Sequence, residues 1–495
     1  MLNAGTLAAE HVLRTHDGRL SQGVEVHAGA GNNGGDAYVV AAQLARAGVR
    51  VELHVAAPPK TDDAIRAAAL AAAAMRSPEF ESAPSETGCA VVIDGLLGTG
   101  HRGPLRAFVC AHTSRIAEQR AKGAHVLALD IPTGVDSTTG VVVPSAVTAD
   151  TTITFGTVKR GLVIARQMTG RIVLGDIGLG DFANAADHAW CMPTLADLSA
   201  GIPPIAWNAH KGTRGHLALV GGAAGMAGAI VLATRAALRS GVGLAKGYLG
   251  GSGAAVLQSA VPQAIANSWS DGHRTPTSAA WAHALAIGPG LGLTGESLAM
   301  LRDALDANPE LPVVLDADAL TLVAQSGGDV AARLHEWCGT RDVVITPHAG
   351  EFARLAGAPL PTDDWQARAQ AASAFARRAK CTVLLKGAPT LVACADGTIA
   401  VSPRGNAVLS TGGSGDMLAG VIGTLLAQGV RGRTAAIIGA AVHGIAAELT
   451  GARIGVRGAT LDDVLEDLPR AWRSVLDPAP LPPGILLELP STSLR

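Results

Sequence analysis

Along the first half of the chain, short apolar runs recur, and longer stretches with apolar positions at helical spacing lie between them. Residues 24–27 alternate apolar and polar, 39–47 are apolar at helical spacing, and 49–56 alternate again. Strand, glycine loop, helix and strand make a βαβ unit. Strand-like runs at 90–93, 125–129, 151–155 and 171–174 continue the series. The second half repeats it, with strands predicted over 216–220, 284–287, 312–315, 343–346 and 382–385 and a helix over 229–238. Another helix is predicted where Met417, Leu418, Val421, Ile422 and Leu425 share one face. This alternation predicts an α/β protein with two doubly wound, Rossmann-like domains. An aperiodic, proline-containing segment at 192–204 reads as a linker, which puts the domains at 1–200 and 207–480. Residues 217–234 approach the length of a membrane span, but the glycines among them predict strand, loop and helix instead.

Composition changes this picture little. The chain has 495 residues, 48% hydrophobic and 16% charged, which suits globular domains. A net charge of −2 gives no reason to expect nucleic acid or an anionic membrane as partner. Six cysteines without a CxxC pair read as free thiols of a cytoplasmic protein, and residues 1–20 lack the pattern of a signal peptide.

Candidate chemistry gathers where predicted strands end, the edge at which parallel α/β sheets bind ligands. Residues 409–420 read LSTGGSGDMLAG: Gly412, Gly413, Ser414 and Gly415 form a flexible turn that opens a helix, and Asp416 stands in its first turn. Free N–H groups at a helix start cradle phosphate. A carboxylate beside such a cradle suits removal of a proton from a hydroxyl that attacks phosphorus. Lys386, after the strand at 382–385, could meet nucleotide phosphates, and His348 and Glu351 could meet substrate. Asp316 and Asp318 are either metal ligands or caps, while His443 reads as core. In the first half, Gly29-x-Gly31-x-x-Gly34 fits a dinucleotide fingerprint, but Asn32, Asn33 and Asp36 add oxygen ligands that favour a cation and a polar ligand. Asp94 and Asp130 close two further strands and converge on the same edge.

The motifs GNNGGD, IDGLLGTGHRGP, LDIPTGVD, TFGTVKRGL and DIGL, collinear over about 23–180, resemble the epimerase half of the bifunctional NAD(P)H-hydrate repair enzymes. By that resemblance Asn32, Asn33, Gly34, Gly35 and Asp36 bind the hydrated nucleotide. Gly98, Thr99, Gly100, His101, Arg102, Gly103, Pro104 and Asp130 also face it, with Asp130 the candidate for catalytic proton handling. K⁺ is implied at Asn33, Asp94 and Thr133, where threonine replaces the family's usual serine. The helical region before these motifs is shorter than the family's.

HKG, VGGAAGMAGA, IGPGLG, LDADAL, TPHAGEFARL, LLKGAPTLV and STGGSGDMLAG, over about 207–470, resemble the dehydratase half, which is ribokinase-like. The resemblance implies that Ala229, Gly290, His348 and Asp416 face hydrated NADH or NADPH. It implies that Lys386, Gly387, Ala388, Pro389, Thr390 and Gly415 contact the adenine nucleotide. The expected co-substrate is ADP, with ATP the alternative, accompanied by Mg²⁺; the expected assembly is a homo-oligomer. Asp416 is the expected general base on the S form of the hydrate, and the first domain is expected to interconvert the R and S epimers. The rival reading is a ribokinase-like small-molecule kinase with a non-catalytic N-terminal binding domain.

Overall fold

The computed structural model describes residues 1–75, 88–180, 190–269 and 281–492. They fall into two compact units, Met1–Asp187 with Pro480–Arg495, and His188–Ala479.

The first unit is built on β1 (Val24–Ala28), β2 (Val51–Val55), β3 (Val91–Gly95), β4 (His125–Leu129), β5 (Thr151–Phe155) and β6 (Arg171–Gly175). They run parallel in the order β6-β5-β4-β3-β1-β2, and a strand from the chain's end, Ile485–Leu489, adds antiparallel to β6. Helices α1 (Leu2–His16), α2 (Asn32–Arg46) and α3 (Asp62–Met75) pack on the face that carries Val24, Val26 and Ala28. Helix α4 (Ala107–Ala121) packs on the other, against Val92, Val126 and Ala128. The chain reverses direction across the sheet between β1 and β3, and the crevice outside the strand ends at such a point is where ligands bind.

The second unit contains β7 (Trp190–Cys191), β8 (His216–Gly221), β9 (Leu244–Leu249), β10 (Ile265–Ser268), β11 (Ala284–Ile287), β12 (Val313–Leu315), β13 (Val343–Ile345), β14 (Thr382–Leu385), β15 (Thr390–Ala393) and β16 (Ile399–Ser402). Their order is β10-β9-β8-β11-β12-β13-β14-β15-β16-β7, with antiparallel pairing, among the described residues, only at β14–β15 and β15–β16. Here the reversal lies between β8 and β11. The principal helices are α5 (Ala227–Arg239), α6 (Ala349–Ala356), α7 (Ser414–Ala427) and α8 (Gly432–Ile454). Every residue of α7 from Met417 to Ala427 is buried. Glycine lets it approach α5 closely, since a Cβ on Gly420 would lie 2.1 Å from the Ala233 carbonyl oxygen. Helix α8 is long and apolar enough to cross a membrane, but 78% of its apolar window is buried inside the protein.

Both domains have the expected α/β architecture, and 217–234 divides into strand, loop and helix as expected. The division of the chain differs in two places. The segment read as a linker holds a helix, Leu195–Ala200, closed by a capping box between Thr194 and Asp197, and it packs in the second unit's core through Leu198. The chain after 480 returns to the first sheet instead of trailing from the second domain.

Candidate active sites

In the first unit, the ends of β1, β2, β3 and β4 surround a cavity of about 960 Å³. Asn32, Asn33, Asp36, Gly98, Thr99, Gly100, His101, Arg102, Pro104 and Asp130 line it. Gly34, Gly35 and Gly103 are not part of the lining. Gly34 lies against the glycine loop, where a Cβ would come 1.8 Å from the Gly29 carbonyl oxygen, and a Cβ on Gly35 would strike Met1. Their role is to let the first turn of α2 pack closely. Lys60, Arg106 and Phe108 also line the cavity and carried no motif signal. Lys60 could have been found from its place just beyond β2, beside the reversal.

Asp130 sits at φ 63°, an unusual backbone conformation for a non-glycine residue. Its Oδ1 accepts from Lys159 Nζ and from Thr154 Oγ1 at 3.3 Å. Lys159 is also held by Thr154 Oγ1 at 2.8 Å and the Phe155 carbonyl at 2.9 Å. Burial pushes the Asp36 carboxyl up to about 7; Asp130 adds to this, while the Met1 ammonium and Lys159 oppose it. Two carboxyls and a lysine thus offer proton donors and acceptors at one wall.

Beside them Asn33, Asp94 and Thr133 come together. Asp94 is fully buried, accepting from Thr133 Oγ1 at 2.7 Å, the Thr133 N–H at 2.8 Å and the Leu96 N–H at 3.2 Å. Burial raises its carboxyl despite these bonds. Asn33 donates to the Leu97 carbonyl at 3.0 Å, but its Oδ1 is buried and lacks a hydrogen-bond partner. Asn33 and Thr133 both bond to Leu97, and Thr133 to Asp94, so an orphaned amide oxygen, a hydroxyl and a carboxylate are linked through one loop, an all-oxygen donor set that fits a hard cation such as K⁺.

In the second unit, Gly413 stands just before α7, and its φ of 97° makes the turn. Ser414 Oγ donates to the Leu409 carbonyl at 2.8 Å, fixing the loop. Lys386 Nζ donates to Asp316 Oδ1 at 2.7 Å and lies 3.7 Å from Glu351 Oε2. A Cβ on Gly415 would come 3.1 Å from Lys386 Nζ and 3.2 Å from Asp316 Oδ2, so the glycine turn, the lysine and the acid meet. Burial lowers Lys386, but Asp316 and Glu351 outweigh it and hold the ammonium above its usual range. Asp416 goes the other way. Burial and then Asp316 push its carboxyl up to about 7, with Lys386 opposing and Asp318 and Glu351 adding.

His348 caps α6, its Nδ1 accepting from the Gly350 N–H at 3.0 Å, which leaves the ring half in solvent. Its backbone pairs with Lys386 in an isolated bridge. Ala229 and Gly290 adjoin, the Ala229 Cβ lying 3.1 Å from where a Gly290 Cβ would stand. Asp318 accepts from the Gly292 N–H at 2.8 Å and so ties the same loop, while Asp316 binds the lysine. Gly387 and Ala388 are exposed beyond β14, and Thr390 Oγ1 donates to the Gly387 carbonyl at 3.0 Å. Trp365, which the motifs did not signal, stands 3.4 Å from where a Gly387 Cβ would be. His443 is buried as expected, but its Nε2 has no hydrogen-bond partner; burial and Lys386 lower it to about 4.

Comparison with known proteins follows the same division. A family model described as NAD(P)H-hydrate dehydratase matches residues 217–470, and one described as YjeF-related protein N-terminus matches residues 1–161. The bifunctional NAD(P)H-hydrate repair enzyme of Escherichia coli is 34% identical over 448 residues, covering 89% of this chain and 83% of its own length. That of Moorella thermoacetica is 31% identical over 509 residues, covering 96% and 92%. Among solved structures, the ADP/ATP-dependent NAD(P)H-hydrate dehydratase of Bacillus subtilis, co-crystallised with ATP/Mg²⁺, aligns with a TM-score of 0.50 and 29% identity. The alignment covers 57% of this chain and 98% of that one. A hypothetical protein from Streptococcus mutans has the same fold at a TM-score of 0.51 and 23% identity, covering 58% of this chain and 100% of its own.

Proposed function

The chain belongs to the bifunctional NAD(P)H-hydrate repair enzymes, and from that premise we propose how its two sites divide the work. The enzyme epimerises hydrated NADH and NADPH and dehydrates the S form in an adenine-nucleotide-dependent reaction. ADP is the proposed phosphoryl donor. The observation that carries the dehydratase mechanism is the placement of Asp416: a carboxyl poised near neutrality beside Lys386, in the first turn of a helix that opens on glycines.

Asp416 removes the proton of the ring hydroxyl as its oxygen attacks the terminal phosphorus of ADP, and AMP leaves. The Lys386 ammonium and the N–H groups at Gly412–Gly415 hold the phosphates and meet the charge that develops. The new C–O–P linkage breaks at carbon, expelled by the ring nitrogen lone pair. Loss of a proton from the neighbouring carbon restores the dihydronicotinamide. Ala229 and Gly290, small and adjacent, leave room for the nicotinamide end; the turn at 386–390 and Trp365 take the adenine nucleotide. Asp316, Asp318 and Glu351 are the oxygen donors that would hold Mg²⁺, which when bound neutralises phosphate charge.

In the first domain, Asp130 handles the proton of the ring hydroxyl, held by Lys159 and partnered by Asp36. Lys60 and Arg106 offer charge to the nucleotide phosphates. Asn33, Asp94 and Thr133 would hold K⁺, which fixes the loop at Leu96–Leu97 when bound. The substrates are soluble nucleotides, which supports a cytoplasmic location; the family resemblance supports a homo-oligomer.

Product analysis separates this from the kinase reading. With S-hydrate and ADP, AMP and inorganic phosphate are expected in equal amounts with restored NADH. Accumulation of a stable phosphate ester, with no free phosphate, would favour the kinase.

A further inference from the structure

On the face of the first sheet that carries α4, the two strands at the open edge present an ionic surface. β1 and β2 are in parallel register, with Glu25 beside Glu52 and His27 beside His54. Helix α4 brings Arg115, His112 and Gln119 to them. Glu25 is 2% exposed and His27 fully buried. His27 Nε2 lies 2.8 Å from Glu25 Oε1, its Nδ1 lies 2.8 Å from His112 Nδ1, and its ring stacks on His54 at 4.9 Å. Apolar side chains would fill this space with no desolvation cost, so a buried carboxylate ringed by imidazoles asks for another account.

Glu25, Glu52 and His54 each offer a ligand atom, and these atoms all lie within 4.8 Å of one another. His54 Nε2 is 2.9 Å from Glu52 Oε1 and 3.6 Å from Glu25 Oε1. Nitrogen and oxygen ligands at about 2.0–2.2 Å from a shared tetrahedral ion stand roughly 3.5 Å apart, so small side-chain movements close the set. The His54 Nε2 atom is shielded from solvent and makes no well-directed hydrogen bond. We propose that Glu25, Glu52 and His54 form a binding site for a divalent transition-metal ion of the zinc type, with Arg115 as the competing cation.

The arrangement of the arginine supports it. Arg115 donates to Glu25 Oε1 at 2.6 Å and, from one terminal nitrogen, to Glu25 Oε2 and Glu52 Oε1, each at 3.1 Å, so one guanidinium occupies the place between the two carboxylates. The Arg115 side chain is 42% exposed and can swing into solvent without opening the fold. Two carboxylates and an imidazole suit a borderline ion such as Zn²⁺ and leave a position for water. The donor set differs from the all-oxygen group of Asn33, Asp94 and Thr133 and shares no residue with it. His27 fixes Glu25 as a ligand's hydrogen-bond partner does in metal sites.

The test is a Co²⁺ titration of the chelator-treated full-length protein in excess K⁺, followed by visible absorption, with Zn²⁺ added to displace the bands. One ion per chain is expected. His54→Ala and Glu52→Gln should each weaken binding at least about a hundredfold, and Arg115→Met should tighten it about tenfold. A gain in Arg115→Met cannot arise from misfolding. Binding unchanged in all three variants would place the ion elsewhere and overturn the proposal. Absence of bands in both wild type and Arg115→Met would reduce the cluster to an ion-pair network and also overturn it.

Discussion

At the scale of single residues, the proposed dehydratase mechanism turns on one carboxyl. Asp416 is pushed up to about 7 chiefly by burial and by Asp316, so a measurable fraction is protonated at neutral pH. A base must be ionised to accept a proton, so dehydratase kcat/KM should rise through about pH 7 and level off above it. Lys386 lowers the Asp416 value. Lys386→Met should therefore move the midpoint of that profile to higher pH, as well as raise the KM for ADP. A pH–rate series on both proteins checks the direction; an unmoved midpoint would detach Lys386 from the base. Asp416 was legible in the sequence because glycines, an acid and a helical apolar pattern stand together. The ambiguity at Asp316 and Asp318 was not soluble there. Both follow one strand, yet one binds a lysine seventy residues away, at position 386, and the other a backbone N–H.

At the scale of elements, glycines in the two loops look alike in sequence and do different things. Gly415 faces the cradle, where a Cβ would meet the flexible end of Lys386 at 3.1 Å. Gly34 faces the fold, where a Cβ would meet backbone at 1.8 Å. Gly415→Ala should keep the melting temperature within about 2 °C and raise the ADP KM about tenfold or more. Gly34→Ala should cost about 1–3 kcal/mol of stability, with epimerase activity falling through loss of folded protein. Thermal melts and steady-state kinetics on the pair separate the two roles. The central α/β alternation was readable because apolar periodicity reports a strand or helix locally. The helix Leu195–Ala200 is only six residues long, too short for periodicity, although Thr194 and Asp197 gave its capping signal.

At the scale of the molecule, the order of segments along the chain is not the order of the units. The strand Ile485–Leu489 completes the first sheet beside β6, and its Ile485 joins the core with Val24 and Val26. Removing residues 480–495 should therefore impair the epimerase domain and leave dehydratase turnover of S-hydrate within about twofold of the intact chain. Separate assays of the two activities check this; equal loss of both would contradict it. No local pattern marks this return, because a five-residue strand carries no record of which sheet it joins. The measurement that bears most directly on the catalytic assignment uses the whole chain with S-hydrate, ADP, Mg²⁺ and K⁺, following the return of dihydronicotinamide absorbance in wild type and Asp416→Asn. Recovery in the wild type and a rate lower by about a thousandfold in the folded variant are expected. Recovery at an undiminished rate in Asp416→Asn would contradict the assignment of Asp416 as the base.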